Sequence, residues 1–386
     1  MRRVVMKFGG SSVATTEKIK KVAEILKRRK NGMNDIVCVV SAMGDTTDEL
    51  LSLAGELSKN PSRRELDMLL ATGEMVSASL LAIALNEMGE KAIALNGVQA
   101  GFQTKGRHGF SKVVDVDTFR IEKELLEDKI VIVTGFQGLN SNEDFSTLGR
   151  GGSDTSAVAI ASKLGVDCEI YTDVDGIYTV DPRFHKEAKK LTKVSYDEAM
   201  EMAHLGAKII DPRSVEMAKK YGIRIYVALN SASVLGTYIG EDSVEESIIS
   251  NLSVQDNILL VKKTLKDESV AELFLNLARE DVNIDIISKM DTDGKTLVRF
   301  TSVIDEKNLI EKVADDFEFV ENVSKVSIIG NAMRNQSGVA ARVFDLLNSN
   351  GINFHGLSTS EISISIIVDT IVKEKVMNLL IREFEL

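Results

Sequence analysis

Val4-Val5-Met6-Lys7-Phe8-Gly9-Gly10-Ser11-Ser12 is a short apolar strand that delivers one lysine, then two glycines and two hydroxyls, ahead of a helix-patterned run. Glycines let backbone N–H groups approach an anion closely. A following helix N-terminus adds its positive dipole end, and Lys7 supplies a mobile point charge. The stretch reads as a phosphate site, with a tight strand-to-helix turn as the plainer alternative. A Walker A loop puts its lysine after the glycines, so the lysine-first order points to a different nucleotide fold.

Outward from this stretch, apolar strand-like runs at 2–8, 36–42, 91–95, 130–134, 168–172 and 224–229 alternate with helical patterns at 14–29, 46–58, 65–88, 116–127, 154–164 and 212–221. The alternation predicts an α/β unit with a covered, largely parallel sheet over residues 1–240. Beyond Gly240 the chain turns polar and acidic from Glu241 to Ser247, and a linker is assigned to 241–255. The tail repeats itself. Leu273-Phe274-x-x-Leu277 leading to Val282-Asn283-Ile284-Asp285 is echoed 70 residues later by Val343-Phe344-x-x-Leu347 leading to Ile352-Asn353-Phe354-His355. Each copy, 256–322 and 323–386, reads strand, helix, strand, strand, helix, a ferredoxin-like pattern, with second-copy strands expected near 325–329, 352–358 and 362–368. A binding module and duplicated structural packing both explain such a repeat.

The 386 residues suit two or three domains, and the net charge of −11 opposes nucleic-acid binding. Cys38 and Cys168 lie in apolar runs without a C-x-x-C pair, which favours buried thiols in a reducing cytosol over a disulfide or zinc site. No run approaches the roughly 18 apolar residues of a membrane span. The expectation is a soluble, unexported, cytoplasmic protein without a membrane partner.

Three further constellations fall in the α/β unit. In Val39-Val40-Ser41-Ala42-Met43-Gly44-Asp45-Thr46-Thr47-Asp48 a buried strand ends in hydroxyls at a helix start, where open α/β sheets carry ligands but where Ser41, Thr46 and Thr47 also serve as ordinary caps. Thr147-Leu148-Gly149-Arg150-Gly151-Gly152-Ser153-Asp154 places an arginine inside a glycine turn before a helix, aimed at a carboxylate or phosphate. Its third dinucleotide-fingerprint position is Asp154, a residue better suited to a metal or to orienting a lysine. Thr172-Asp173-Val174-Asp175-Gly176-Ile177-Tyr178 is another strand end opening into a polar loop, with Asp173 and Asp175 able to contact ribose hydroxyls or water-bound Mg²⁺. An EF-hand would need glutamate where Phe184 stands. Gly294-Lys295-Thr296 imitates a Walker end, but Lys289 occupies its first glycine position.

KFGGSS, VVSAMGDTTDEL, LLATGE (69–74), TLGRGGSDTSA, TDVDGIYTVDPR and GAKIIDPRSVE (206–216), in this order, resemble the aspartokinases of the amino-acid kinase superfamily. Val326-Ser327-Ile328-Ile329-Gly330 through Met333-Arg334, with Ser358-Thr359-Ser360-Glu361-Ile362, resembles the second of that family's paired ACT domains. The resemblance implies phosphoryl transfer from ATP, with Mg²⁺, to the β-carboxylate of L-aspartate at the head of lysine, threonine and methionine synthesis. By motif it implies that Lys7 and Lys208 neutralise the moving phosphoryl group while Gly9 and Gly10 line its path and Asp154 holds Lys7. Ser41, Thr47, Glu74, Arg150 and Ser153 would face aspartate, Arg150 taking its α-carboxylate and Glu74 its ammonium. Thr172, Asp173, Tyr178 and Arg183 would surround the nucleotide, and no dedicated protein metal site is implied. Asp267, Asn283, Asp285, Asn353 and Phe354 would bind a lysine or threonine effector, and paired ACT repeats would make at least a homodimer.

The sequence departs from the family at two places. Asp211 stands before Pro212 where a histidine is usual, and reads as a cap for the helix that follows. The first repeat has Asp267-Glu268-Ser269-Val270 where a D-x-P-G turn is usual. Competing readings are a related kinase for another acid and an amino-acid sensor with an inactive kinase domain.

Overall fold

The computed structural model describes residues 2–32, 34–207, 209–231, 234–241, 248–265, 269–292, 295–336 and 338–386. Lys208, Asp267, Gly294 and linker residues 242–247 lie outside the described residues. The chain divides into two compact units, one of 1–178, 190–204 and 208–244, the other of 179–189, 205–207 and 245–386.

In the first unit, β1 (Arg2–Phe8), α1 (Thr16–Asn31), β2 (Asn34–Val40), α2 (Thr46–Leu57), α3 (Arg63–Glu87) and β3 (Ala92–Leu95) open the alternation. There follow β4 (Phe102–Lys105), β5 (Lys112–Val116), α4 (Phe119–Leu126), β6 (Ile130–Thr134), β7 (Gln137–Leu139), β8 (Phe145–Thr147), α5 (Gly152–Leu164) and β9 (Cys168–Thr172). The unit closes with β10 (Lys193–Ser195), α6 (Tyr196–His204), α7 (Pro212–Tyr221), β11 (Ile225–Leu229) and β12 (Thr237–Gly240). The main sheet runs β10-β12-β11-β9-β1-β2-β6-β3, parallel except where β11 meets β12. Val5, Met6 and Phe8 of central β1 and residues Ile36 to Val40 of β2 are wholly buried. That is the near-continuous apolar run expected of strands covered on both faces. Both cysteines are buried, and burial pushes their thiols up.

A second, four-stranded sheet, β5-β4-β7-β8, was not visible in the periodicity. Its β5 takes the first residue of the helix expected at 116–127, and α4 begins only at Phe119. Helix α3 is long and apolar enough to cross a membrane by length and composition, but half of that window is buried in the fold. It turns Asp67 and Glu74 inward.

The second unit holds both repeats: β13 (Asn251–Leu265), α8 (Val270–Arg279), β14 (Ile287–Thr292), β15 (Lys295–Val303) and α9 (Lys307–Glu311), then β16 (Glu318–Ile329), α10 (Val339–Ser349), β17 (Gly356–Thr359), β18 (Ser363–Asp369) and α11 (Lys373–Phe384). One six-stranded sheet, β14-β15-β13-β16-β18-β17, carries them all. Long strands β13 and β16 lie antiparallel at its centre and cross from one copy to the other. Leu259 and Val261 of β13 pack in the first copy's core with Phe317, whereas Leu252 joins Val326 and Ile328 in the second copy's core. The crossing is marked by a register shift between Gln255 and Ile258, with Asn257 and Asn322 both at positive φ. Related ion pairs brace it, Lys307 to Glu321 and Lys373 to Asp256. Residues 352–355, expected in a strand, precede β17 because the Ile352 amide closes the end of α10 on Leu347.

Candidate active site

Parallel pairing aligns Lys7 with Val39 of β2 and Ile170 of β9, so β1, β2 and β9 end together and release Gly9, Ser41 and Asp173 on one edge of the sheet. That edge, at the carboxyl ends of the strands, is where open α/β folds hold ligands. Phe8 and Tyr171 stack beneath it, with ring centroids 4.9 Å apart.

Lys7 is 9 % exposed, and its Nζ lies 2.6 Å from Oδ1 of Asp154 in the first turn of α5. A buried ammonium held by one carboxylate partner has a fixed aim. Gly10 is required by close approach, since a Cβ there would stand 2.9 Å from the Ala42 carbonyl oxygen. The chain after β1 is thereby pressed onto the chain after β2, where the Gly44 amide donates to Gly10.

Glu74, on the inward face of α3, is 3 % exposed. Its Oε1 accepts from the Ala42 amide at 3.1 Å, and its Oε2 is buried with no hydrogen-bond partner among the described residues. Burial pushes its carboxyl up to about 8. The Ser41 carbonyl accepts from Ser77 one turn further along α3, fixing the helix to the end of β2. Thr47 is half-buried in the first turn of α2.

The glycine loop between β8 and α5 presents Arg150, exposed and with its guanidinium bonded to nothing among the described residues, and Ser153, buried. Two residues that the sequence reading did not assign hold this loop. Asp67, 1 % exposed, accepts from the amide and hydroxyl of Thr147, from the Gly109 amide and from His108. Arg213 donates to the carbonyls of Leu148 at 2.7 Å and Arg150 at 2.6 Å while paired with Asp211. Asp211 caps α7 through the Arg213 amide, as expected, and also orients the guanidinium that clamps the loop. Gly151, at φ 71°, has no room for a side chain, because a Cβ would fall 1.9 Å from Oδ2 of Asp211. The signal available in sequence was the carboxylate of Asp67, in line with Glu74 on the mainly apolar inward stripe of α3, and the P-R-S string after Asp211.

At the end of β9, Thr172 donates to Asp173, and Tyr178 donates to Asp175 at 3.0 Å. Lys190 also bonds Asp175, holding that carboxyl below its usual range. Arg183 belongs to the second unit, where its guanidinium pairs with Asp181, and no described contact brings it to the edge of the main sheet. Of the expected effector residues, Asn283 sends its amide to Glu306, and Asp285 pairs with buried Lys325. Asn353 is exposed, and Phe354 packs on Phe344 at the matching place in the second copy.

The arrangement provides a fixed cation, an unsatisfied buried carboxylate and an exposed guanidinium, with no histidine among these groups. It suits holding two anions and an ammonium together rather than moving a proton through a relay. Residues 2–229 match the Amino acid kinase family and residues 326–384 the ACT domain. The chain is 43 % identical to an aspartokinase of Bacillus sp. (strain MGA3) across all of this chain and 98 % of that protein. It is 41 % identical to aspartokinase 2 of Bacillus subtilis (strain 168), again across all of this chain and 98 % of the relative. Among solved structures, aspartate kinase from Synechocystis is 36 % identical at TM-score 0.58, covering all of this chain and 69 % of that one. Escherichia coli aspartokinase III, solved with aspartate and ADP, superposes at TM-score 0.80 over 99 % of this chain and all of that one with 24 % identity.

Proposed function

The chain belongs to the aspartokinases of the amino acid kinase family, and from that premise we propose that Lys7, Asp154, Glu74 and Arg150 form the centre that phosphorylates the β-carboxylate of L-aspartate with ATP. The reacting carboxylate, with a reference pKa of about 4, is already ionised near neutrality and needs no base. One of its oxygens bonds to the γ-phosphorus as the bond from that phosphorus to the bridging oxygen breaks. ADP leaves with the electron pair, and 4-phospho-L-aspartate remains. Lys7, held by Asp154, meets the charge spread over the transferring group, with Gly9 and Gly10 lining its path. Lys208 is assigned as its second cation on the motif alone. Arg150 takes the substrate's α-carboxylate and Glu74 its ammonium, with Ser41, Thr47 and Ser153 at the flanks. Thr172, Asp173, Tyr178 and Arg183 are assigned to the nucleotide.

The observation that carries this reading is Glu74, a buried carboxylate with an oxygen unpartnered among the described residues, bonded at the end of β2, the strand paired with the one that delivers Lys7. No three acidic, histidine or cysteine side chains cluster among the described residues. Mg²⁺, carried chiefly by the nucleotide phosphates, would neutralise charge there. Incubation with MgATP and L-aspartate followed by hydroxylamine is expected to trap aspartyl hydroxamate, and its absence would defeat the assignment. Lys7→Ala is expected to lower kcat by roughly two orders of magnitude, the scale of a lost transition-state charge contact. A change confined to KM would refute the role given to Lys7.

The ACT repeats support feedback by an amino acid, and we assign lysine, threonine or both as effector at Asn283, Asp285, Asn353 and Phe354, with Asp267 carried by motif alone. The C-terminal sheet is assigned as a homodimer contact, and the enzyme to the cytoplasm at the entry to lysine, threonine and methionine synthesis.

A further inference from the structure

Thr134 closes β6 with a hydroxyl that the fold does not use. The residue is 2 % exposed, and its Oγ1 has no hydrogen-bond partner among the described residues. A buried hydroxyl without a partner costs stability, which marks it for a role outside packing. Register sets Thr134 level with Val40 of β2, and the Gly135 amide that follows donates to the Val40 carbonyl at 2.9 Å. Thr134 therefore stands on the same carboxyl edge of the sheet as Ser41 and as Ala42, whose amide is held by Glu74.

Alternation along β6 decides which way the side chain faces. Ile130 and Ile132 lie in one core with Ala78, Leu81 and Leu85 of α3, and Thr134 is next on that face. The two elements are level at their far ends, where the Ile130 amide donates to the Lys91 carbonyl and the Glu90 amide to the Leu85 carbonyl. From Ile130 to Thr134 the strand climbs about 13 Å, and from Leu85 back to Glu74 the helix climbs about 16 Å. Thr134 and Glu74 thus reach nearly the same height on facing elements, each with a buried oxygen unpartnered among the described residues. The chain beyond Thr134 is pinned on both sides. Gln137 donates to the Ala71 carbonyl of α3 at 2.8 Å, and the Phe136 amide donates to Ser156 of α5 at 3.0 Å. Gly135 has no room for a side chain, because a Cβ would stand 2.7 Å from Oγ of Ser153. The end of β6 is held by these contacts between the carboxylate of Glu74 and the glycine loop of Arg150 and Ser153.

Resting on the assignment of Glu74 to the substrate's ammonium, we propose that Thr134 is a second acceptor for that ammonium and a specificity-determining residue of the aspartate site. An ammonium offers three N–H donors. Oε1 of Glu74 is already engaged by the Ala42 amide, which leaves Oε2 for one of them, and Oγ1 of Thr134 takes another. Thr134→Val keeps the shape of the side chain and removes the hydroxyl. In the hydroxamate assay it is expected to raise KM for L-aspartate about tenfold, the scale of one hydrogen bond to a charged group, with kcat and KM for ATP held within about twofold. Its melting temperature should hold or rise, because valine buries no unsatisfied oxygen, whereas a purely structural hydroxyl would lower it on removal. Thr134→Ser should keep the parent's KM, and Thr134→Ala, which cannot crowd its neighbours, should repeat the loss. Succinate has both carboxylates and no ammonium, so its inhibition constant against aspartate should be the same for the parent and Thr134→Val. A KM for aspartate left at the parent's value in both Thr134→Val and Thr134→Ala, or an equal weakening of succinate, would overturn the proposal. Absence of hydroxamate with the parent itself would remove the kinase centre and this residue's place in it together.

Discussion

At the scale of single residues, Glu74 is a buried carboxyl with one oxygen unpartnered among the described residues, and its proposed role as the seat of the substrate ammonium has consequences for pH dependence. Burial raises its pKa from an ordinary 4.5 to about 8, so the empty site holds a proton that the unfolded chain would release. The sign follows: this group's contribution to stability is fully present below about 4.5 and is lost as pH rises towards 8. Under the proposed assignment, an ammonium arriving on Glu74 would favour the charged form and expel that proton. The KM for aspartate is therefore expected to fall as pH rises from 6 to about 8 and to level off above, with proton release measurable by calorimetry in buffers of different ionisation enthalpy. Glu74→Gln should raise KM roughly 10- to 100-fold, the worth of a charged hydrogen bond, and flatten the profile. Arg213 acts at one remove. Arg213→Ala frees the carbonyls of Leu148 and Arg150, and steady-state kinetics should show KM for aspartate up by roughly tenfold with KM for ATP little changed. Arg213→Lys should recover part of this. The Lys7–Asp154 pair was legible through the resemblance, which joined two glycine turns that lie far apart along the chain. Asp67 and Arg213, whose partners lie 80 and 65 residues away, had no such motif role to assign them.

Elements differ in how openly the sequence declares them. β1, β2, β6 and β9 are apolar runs bounded by glycine or polar turns, and the expected strands fell on them to within a few residues. The small sheet of β4, β5, β7 and β8 has strands of three to five residues, too short for a period to register. It matters nonetheless, because β8 feeds the loop of Arg150. That loop enters α5 through Gly151 in a left-handed conformation pressed on Asp211. Gly151→Ala meets both a backbone penalty and a collision, and should cost about 2 kcal/mol or more in chemical denaturation, with loss of activity before loss of fold. Gly55→Ala, mid-helix in α2 with no atom within 4 Å of the new methyl, is the matched control and should be neutral or slightly stabilising.

For the whole molecule, the division into a phosphoryl-transfer unit and a doubled tail could be read from a repeat spaced 70 residues apart. How the copies share strands could not, since the pairing of β13 with β16 joins residues up to 78 positions apart. An effector changes activity only by binding two states of the enzyme unequally. Titration of lysine and threonine, singly and together, into the hydroxamate assay is expected to lower the rate with at least one of them. Full activity with both in excess would remove feedback while leaving the kinase assignment intact.

The exchange of strands at the centre of the tail bears on how this protein can change over evolutionary time. A recombination break between β15 and β16 would deliver a repeat lacking one wall of its own core, with a row of backbone N–H and C=O groups open to any passing strand. The pair must therefore be inherited as one cassette. Divergence between its halves has to accumulate by point substitution, in loops such as 353–355, rather than by swapping one repeat for another.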